Sequence, residues 1–451
     1  MTEKDIIHKL TYLLHGHRRK IFIIFGCLLI STGLNLCIPF ISKEIMDEGF
    51  IGGNKNILLY LVVGSFAIYM LISALNIIKE KVRVEIVAKV QYSLWHQAYE
   101  HLMRMKINYF DDRNAAEIFN NLSVDIANMV SVADESAFFV VTQAFSMVGG
   151  VIGLFILDYR MTILVLLFIP IKAVVMKYFA KYRKKVMDEF ILDSEKYSSW
   201  FGDTVGGVKE VKLFDILDNK HREFDEKQRV VIRKQKKMNM LSQWNSAADD
   251  VLVHLLITLI YIVGSNLVFN MQLSVGSIFA FITYSSYVTG PISAILNIGY
   301  LLSGIIPSTK RYYMFMELDE ENSNQKITTS PQFGDIELKN ISFAYEEGKP
   351  ILDGVSVIFP KGSKTAIIGR NGSGKTTIIN LLTRLYEPEN GQILLNGTNI
   401  ADMSLQAYRE MVSIVSQQIY LFNDSIRNNI CLYKQVSDAM LKIACRDSGL
   451  E

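Results

Sequence analysis

The residues with the clearest chemical role form a glycine-rich loop late in the chain. The loop fits the pattern G-x-x-x-x-G-K-[ST], and it comprises Gly369, Arg370, Asn371, Gly372, Ser373, Gly374, Lys375, Thr376 and Thr377. Glycines at these positions let backbone N–H groups converge on phosphate oxygens, and a following helix adds the positive end of its dipole. Lys375 supplies a charge for phosphate, and Thr376 supplies a hydroxyl for Mg²⁺. The pattern predicts a Walker A loop that binds a nucleotide.

Short segments on both sides of this loop are expected to position it. Asp335–Tyr345 alternates between apolar and polar residues as a strand does, Val355–Phe359 predicts another strand, and Thr365–Ile368 has the fully apolar composition of a buried strand. Ile378–Tyr386 carries the apolar stripe of a helix. Residue frequencies alone give a chance match to the pattern in about one or two of every hundred chains of this length. The strand and helix around the loop make chance a weaker explanation.

The sequence ahead of this region is dominated by long uncharged runs. Of the 451 residues, 50% are hydrophobic and 20% are charged. Because about 20 apolar residues cross the hydrocarbon layer as a helix, these runs predict five membrane spans, and a weaker apolar run that is interrupted by Lys172 and Lys177 predicts a sixth. The approximate bounds of the spans are 21–41, 57–78, 137–157, 161–180, 251–269 and 277–300. The alternative, a set of buried helices in a large soluble protein, would leave no amphipathic layer to cover them.

Lysine and arginine predict the orientation of these spans. They are concentrated before the first span, between the second and third, and between the fourth and fifth, whereas the other side carries only Lys43, Lys55 and Arg160. The positive-inside rule therefore predicts a multi-pass protein of the cell membrane with both termini in the cytoplasm. An amphipathic helix in the membrane interface is expected before the first span, with an apolar face of Ile6, Ile7, Leu10, Leu13 and Leu14.

The overall charge and the cysteines exclude several other classes of function. Lysine and arginine number 47 against 45 aspartate and glutamate residues, so the net charge of +2 gives no reason to expect nucleic acid as a partner. The four cysteines lie in two distant segments without metal-type spacing. Neither a disulfide framework nor a zinc site is indicated.

Taken together, these features resemble the ATP-binding cassette (ABC) exporters, in which six transmembrane helices precede a nucleotide-binding domain. The resemblance implies an all-α transmembrane domain with long cytoplasmic helical extensions over 1–316, a linker over 317–333, and a partial α/β P-loop cassette over 334–451. It also implies that Tyr345 stacks on adenine and that Gln417 contacts Mg²⁺ and the attacking water. ATP and Mg²⁺ are the implied cofactors, with Thr376 and Gln417 at the metal.

Two segments between the spans also resemble this family. Asn108-Tyr109-Phe110-Asp111 looks like the part of the first intracellular loop that ends near a coupling helix, although Ala116 stands where the family usually has glycine. Val208–Phe214 looks like the second loop beyond its coupling helix. In the family, these rods carry nucleotide-driven motion to the membrane. Their periodicity alone would also suit plain solvated helices.

The resemblance is incomplete near the C-terminus. No LSGGQ-type signature, Walker B aspartate, catalytic glutamate or switch histidine follows Gln417, so no catalytic residue is predicted in these 451 residues. A fragment of a longer product is favoured over a degenerate protein. The implied function is that of a half-transporter, which works as a homodimer or heterodimer in membrane lipid. It exports its substrate by ATP-driven alternating access, and the sequence does not predict which substrate that is. The rival hypotheses are a regulatory ATP-binding membrane protein without transport and a non-functional truncation.

Lys172 is a charge well inside a predicted span, about 18 Å into a layer of about 30 Å. An ammonium group at this depth is costly unless it snorkels, pairs or meets water. Two expectations follow. Lys172 extends toward the cytoplasmic surface along lipid, or it faces a water-filled cavity that favours anionic or zwitterionic cargo.

Overall fold

The computed structural model describes residues 3–111, 113–131, 135–321, 333–346, 348–416 and 419–450. The chain divides into two compact units. The first unit comprises Met1–Arg104 and Arg113–Leu318, and the second comprises Met105–Asp112 and Asp319–Glu451. The short segment 105–112, which lies between two long helices in the chain, thus groups with the C-terminal residues.

All the regular secondary structure that is described in the first unit is helical. Its helices are α1 Glu3–His15, α2 Arg18–Glu44, α3 Lys55–Arg104, α5 Ala115–Val130, α6 Glu135–Leu157, α7 Tyr159–Gly206, α8 Val208–Leu213, α9 Leu217–Phe269 and α10 Val275–Met316, while α4 Asn108–Asp111 belongs to the second unit. Each of the six predicted spans lies in one of these helices, namely α2, α3, α6, α7, α9 and α10. Helices α3, α7 and α9 continue far beyond their apolar runs, as the predicted helical extensions require.

Hydropathy explains why these helices form where they do. Among the described residues, four helices are long and apolar enough to cross a membrane, Arg18–Ile51, Lys55–Arg104, Tyr159–Gly206 and Leu217–Phe269, and a shorter apolar helix covers Val141–Leu157. Only 6% of the apolar window of Lys55–Arg104 is buried within the chain. Side chains left exposed there suit lipid, where a helix satisfies all its backbone hydrogen bonds internally.

The core of the first unit lies between α6, α7, α9 and α10. Its buried side chains are Leu154, Met161, Val165, Phe168, Leu256, Ile260, Ile278, Phe281, Tyr284 and Val288. A Cβ atom added at Gly153 would lie 2.6 Å from the ring of Tyr284, so the glycine lets α6 approach α10 closely. Tyr284 in turn donates a hydrogen bond to the carbonyl of Leu36 on α2.

The end of α2 changes its winding. The α-helix stops at Glu44 and continues as a π-helix over Ile45–Ile51. Within it, Asp47 accepts a hydrogen bond through Oδ1 from the backbone N–H of Gly276, at 2.8 Å. Gly276 lies in the first turn of α10, whose N-terminal N–H groups lack partners inside the helix. The π-helix therefore fastens the end of α2 to the start of α10.

Lys172 shows neither of the two arrangements expected for it. Its side chain is 0% exposed, and its Nζ lies 2.7 Å from Oδ1 of Asp249, on the neighbouring helix α9. The contact is an ion pair whose geometry is not that of a well-aligned hydrogen bond. Asp249 precedes the fifth predicted span directly, so hydropathy alone did not indicate it as a partner for a lysine in the fourth.

The second unit contains an antiparallel sheet with the order β2-β1-β3-β4. The strands are β1 Ile336–Ala344, β2 Pro350–Phe359, β3 Asn390–Leu395 and β4 Thr398–Asn399, and the helices after β2 are α11 Lys375–Leu382, α12 Leu405–Met411, α13 Ile426–Cys431 and α14 Asp438–Asp447. Leu338, Ile341 and Leu381 are among the buried residues that pack the sheet against α11. The strands predicted over 335–345 and 355–359 are confirmed, although β2 begins earlier than expected.

One prediction for this unit is wrong, and a predicted helix is present with different bounds. Thr365–Ile368 is not a strand, and Ile368 is 92% exposed. A fully apolar strand needs a neighbour on each edge and cover on both faces, and the described sheet places no strand beside this segment. The helix predicted over Ile378–Tyr386 instead runs over Lys375–Leu382, because Arg384 adopts a left-handed backbone conformation, with φ of 54°, that a helix cannot continue.

Candidate functional site

The glycine-rich loop connects β2 to α11 and depends on its glycines. Gly372 and Gly374 have φ angles of 81° and 85°, in the left-handed region that favours glycine. A Cβ atom added at Gly369 would lie 2.5 Å from Oγ of Ser373, and one at Gly374 would lie 2.7 Å from Leu352. Gly374 is also the N-cap of α11, so the loop delivers the chain directly to a helix N-terminus. This is the backbone geometry that a phosphate-binding loop needs.

The two charged or hydroxyl side chains predicted to contact phosphate and metal lie at the start of α11. Lys375 donates hydrogen bonds from Nζ to the carbonyls of Gly369 and Arg370, at 2.9 and 2.7 Å. The ammonium group therefore lies over the loop itself. Thr376 is exposed in the first turn of the helix, whereas Thr377 is 4% exposed and packs inward. Asn371, Gly372 and Ser373 are all exposed on the loop.

The arrangement fits Mg²⁺ bound together with phosphate. Mg²⁺ usually keeps several waters and takes one or two protein oxygens beside the phosphates. The exposed hydroxyl of Thr376, next to Lys375 and the loop, is an oxygen ligand of this kind. Gln417, the second ligand predicted from the family resemblance, lies outside the described residues.

Tyr345 lies immediately after β1 and is linked to the helix that carries the loop. The residue is 42% exposed. Its hydroxyl accepts a hydrogen bond from Nδ2 of Asn380, on α11, at 3.1 Å. Its ring packs edge to face against Phe343, with centroids 4.9 Å apart, and against Tyr386, with centroids 5.0 Å apart. The structure thus brings the predicted adenine-stacking residue to the same helix as Lys375 and leaves part of its ring open.

Two further residues join this cluster and were missed from the sequence. Tyr386 donates its hydroxyl hydrogen to the carboxylate of Asp111, whose Oδ1 and Oδ2 lie 2.9 and 2.7 Å away. Burial, followed by this hydrogen bond, raises the pKa of Tyr386 above its usual value. Asp111 was part of the predicted first-loop segment, but the sequence held no signal that paired it with a tyrosine far along the chain.

A cavity of about 340 Å³ opens beside these aromatic rings. Its wall includes Tyr345 and Tyr386, together with Lys106 and Asn108 from the segment that contains α4. Arg384 also lines it, and burial lowers the pKa of this guanidinium group. Arg384 donates to the carbonyl of Met403 at 3.0 Å, so its charge is held in the wall by the backbone.

Two family models match the chain, one over the predicted transmembrane domain and one over the predicted cassette. A family model described as the ABC transporter transmembrane region matches residues 21–292, and one described as ABC transporter matches residues 352–448. The first match includes the first five predicted spans and most of the sixth, which lies in α10. The second includes the whole glycine-rich loop and α11.

Individual relatives extend over both regions. An ATP-dependent lipid A-core flippase of Haemophilus influenzae is 27% identical over 411 residues, which are 88% of this chain and 68% of the relative. A protein of the same name from Syntrophus aciditrophicus is 23% identical over 443 residues, 96% of this chain and 74% of the relative. An uncharacterized ABC transporter ATP-binding protein of Bacillus subtilis is 27% identical over 418 residues, 90% of this chain and 68% of the relative.

Proposed function

Because the chain belongs to the ABC transporter family and is an ATP-driven membrane exporter, we propose that it works as one half of a dimer that alternates a cavity between the two sides of the cell membrane. The observation that carries this proposal is the glycine-rich loop with Lys375 at the N-terminus of α11, in the same chain as long apolar helices. The partner is a second half-transporter, either a copy of this chain or a related one. The positive-inside pattern supports cytoplasmic termini.

The nucleotide is held, in this proposal, by three groups of residues. Backbone N–H groups between Gly369 and Thr377 surround the phosphates, and Lys375 leaves its own loop's carbonyls to contact phosphate oxygens. Tyr345 offers the exposed part of its ring to adenine. Mg²⁺ takes Thr376 and Gln417 as ligands and, when bound, offsets the charge of the phosphates.

Turnover is a separate question from binding. Residues 1–451 contain Lys375, Thr376 and Gln417 but no recognisable Walker B or signature segment. An attacking water needs an activating carboxylate, and the transition-state charge needs donors on its far side. We therefore propose that the 451-residue polypeptide binds Mg-ATP and that its own residues do not complete a hydrolytic site.

The experiment that tests nucleotide binding uses the 451-residue chain in lipid nanodiscs and titrates Mg-ATP. Lys375→Ala should weaken binding at least tenfold, since a hydrogen-bonded charge pair contributes about 1.5–3 kcal/mol. Lys364→Ala is the matched control, because Lys364 is an exposed lysine just before the loop. Equal affinity in the Lys375→Ala variant and the unchanged chain would contradict the proposal.

The names of the relatives give the first class of cargo to test. Two of them are named ATP-dependent lipid A-core flippases, so an amphipathic lipid is the proposed cargo class. Proteoliposomes of the full-length dimer should move a fluorescent lipid to the opposite leaflet only with Mg-ATP. ATP binding without any ATP-dependent movement of lipid, drug or peptide would favour the regulatory alternative.

A further inference from the structure

Three aromatic rings beside the proposed adenine position form a closed set of edge-to-face contacts. Tyr345 and Tyr386 meet at 89° with centroids 5.0 Å apart, and Phe343 meets Tyr345 at 88° with centroids 4.9 Å apart. Phe343 and Tyr386 complete the set at 5.6 Å. Edge-to-face packing is orientation-dependent, so a change in the tilt of one ring changes its contacts with both others. The orientation of Tyr345 is therefore set largely by Phe343 and Tyr386.

Tyr386 is itself held at its far end by a charged acceptor. Both carboxylate oxygens of Asp111 lie within 2.9 Å of its hydroxyl. A hydrogen bond to an ionised acceptor is stronger than one between neutral groups. Asp111 is the last residue of α4, which lies in the chain between α3 and α5 and belongs to the second unit. The position of α4 thus acts on the ring of Tyr386, and that ring acts on Tyr345.

We propose that Asp111 and Tyr386 are positioning residues that orient Tyr345 for the nucleotide base. They link occupancy of the base position to the placement of α4, which belongs to the same unit. The inference rests on the proposed role of Tyr345 in stacking adenine. Because coupling between two sites is reciprocal, the base should also stabilise α4 in its position.

The proposal predicts an effect confined to the base. Tyr386→Phe keeps the ring and removes only the hydroxyl that Asp111 accepts from, and Asp111→Ala removes the acceptor. Each should weaken Mg-ATP binding about threefold to tenfold, the range that one aromatic contact contributes. Binding of magnesium tripolyphosphate, which has the phosphates without a base, should stay unchanged. A loss of folding would instead weaken both ligands equally.

Two variants separate positioning from general damage. Asp111→Asn keeps a carbonyl oxygen that accepts a hydrogen bond, so it should restore most of the ATP affinity lost in Asp111→Ala. Tyr433→Phe is the matched control, since Tyr433 donates to a carboxylate oxygen of Asp424 at 2.6 Å in another tyrosine–aspartate pair. It should leave the affinities for both ligands unchanged.

The reciprocal effect gives a second readout. In the unchanged chain, ATP should slow hydrogen exchange of the backbone amides of 105–111 more than tripolyphosphate does. In Tyr386→Phe, the two ligands should have the same effect on these amides. Such a difference follows from linkage and not from the stability of the fold.

Five results would overturn the inference. Tyr386→Phe with unchanged ATP affinity would show that the hydroxyl does not act on Tyr345, and equal losses for ATP and tripolyphosphate would show a merely structural role. ATP that protects 105–111 no better than tripolyphosphate would remove the link to α4. If the unchanged chain binds neither ligand, or Tyr345→Ala binds ATP normally, the proposed nucleotide site fails and takes the inference with it.

Discussion

Tyr345 combines two properties that a base-stacking residue needs. Its ring is held by perpendicular neighbours, and 42% of the residue remains open. A ring that is already fixed loses little conformational freedom when a base stacks on it. The hydrogen bond that Tyr345 accepts from Asn380 also ties the ring to the helix that begins with Lys375.

Substitutions at Tyr345 should separate the ring from its hydroxyl. Tyr345→Ala should cost about 1–3 kcal/mol in the free energy of nucleotide binding, by analogy with base–aromatic stacking elsewhere. Tyr345→Phe and Tyr345→Trp should cost much less, because each keeps a π face. Calorimetric titration of Mg-ATP into the three variants measures the difference. Equal losses in all three would show that the hydroxyl or the strand, and not the ring, is what matters.

At the residue scale, local patterns were predictable and distant partners were not. The spacing of Gly369, Gly374 and Lys375 predicted a loop that the structure shows with left-handed glycines and a helix at its end. The bond between Tyr386 and Asp111 joins residues 275 positions apart. No periodicity or motif spacing within either segment contains that information, since it depends on how the chain returns to α4.

Helices α7 and α9 are joined by a charge pair between Lys172, inside the fourth predicted span, and Asp249, just before the fifth. Lys172 is fully buried, and the side chain of Asp249 is 28% exposed. An intact buried pair adds little to the free energy of unfolding. Removing one partner lowers that free energy strongly, because the other charge is left buried and uncompensated. This asymmetry distinguishes an ion pair that fixes two helices from a lysine that simply extends to the surface.

Asp249→Asn should therefore destabilise the first unit by about 3–5 kcal/mol. The double variant Lys172→Met/Asp249→Leu removes both charges and should lie much closer to the original stability. Thermal unfolding in detergent micelles compares the two. A double variant as unstable as Asp249→Asn would show that shape, and not the uncompensated ammonium, decides the loss.

The contact between α6 and α10 should be sensitive to a single methyl group. Gly153→Ala places a Cβ atom 2.6 Å from the ring of Tyr284 and should cost about 1–3 kcal/mol of stability through overpacking. Gly304→Ala on α10 is the control, because a Cβ atom there meets nothing within 4 Å and the next residue is not proline. It should raise stability slightly, by about 0.5–1 kcal/mol, because alanine favours the helix more than glycine does. The same unfolding assay applies, and similar values for both variants would contradict the close approach at Gly153.

Elements with a strong local signal were the ones that the sequence predicted correctly. Six long apolar runs became helices because a helix satisfies its backbone hydrogen bonds without a neighbour. A strand has no such independence. Thr365–Ile368 has strand composition, yet without adjacent strands in the described sheet it does not form a strand.

The whole molecule combines an ATP-binding unit with a helical membrane unit in one chain. The order of these regions, and the family to which they belong, could be predicted from hydropathy and one motif. The grouping of 105–112 with the C-terminal residues could not, because it depends on contacts between segments far apart in sequence. Sequence patterns thus predicted the regions but not the way the chain interleaves them.

The 451-residue polypeptide should show nucleotide binding without steady turnover. Its residues include Lys375 and Thr376, and we propose that they do not complete a hydrolytic site. Release of phosphate from Mg-ATP by the purified chain should stay at the level of a Lys375→Ala preparation made in parallel. Sustained turnover in the unchanged chain that the substitution abolishes would show a complete hydrolytic site within these residues.

The π-helix at Ile45–Ile51 bears on how this chain tolerates changes of length. A π turn contains one more residue than the α turn it replaces, so it stores a surplus residue within a continuous helix. If one residue is deleted from this segment, the π turn can become a regular α turn, and α2 keeps its length. The same deletion inside α10 has no surplus to absorb it and rotates every later side chain about the helix axis by roughly 100°. The junction that holds Asp47 against Gly276 is thus a place where the loss of one residue is confined, and the helices on either side keep their register.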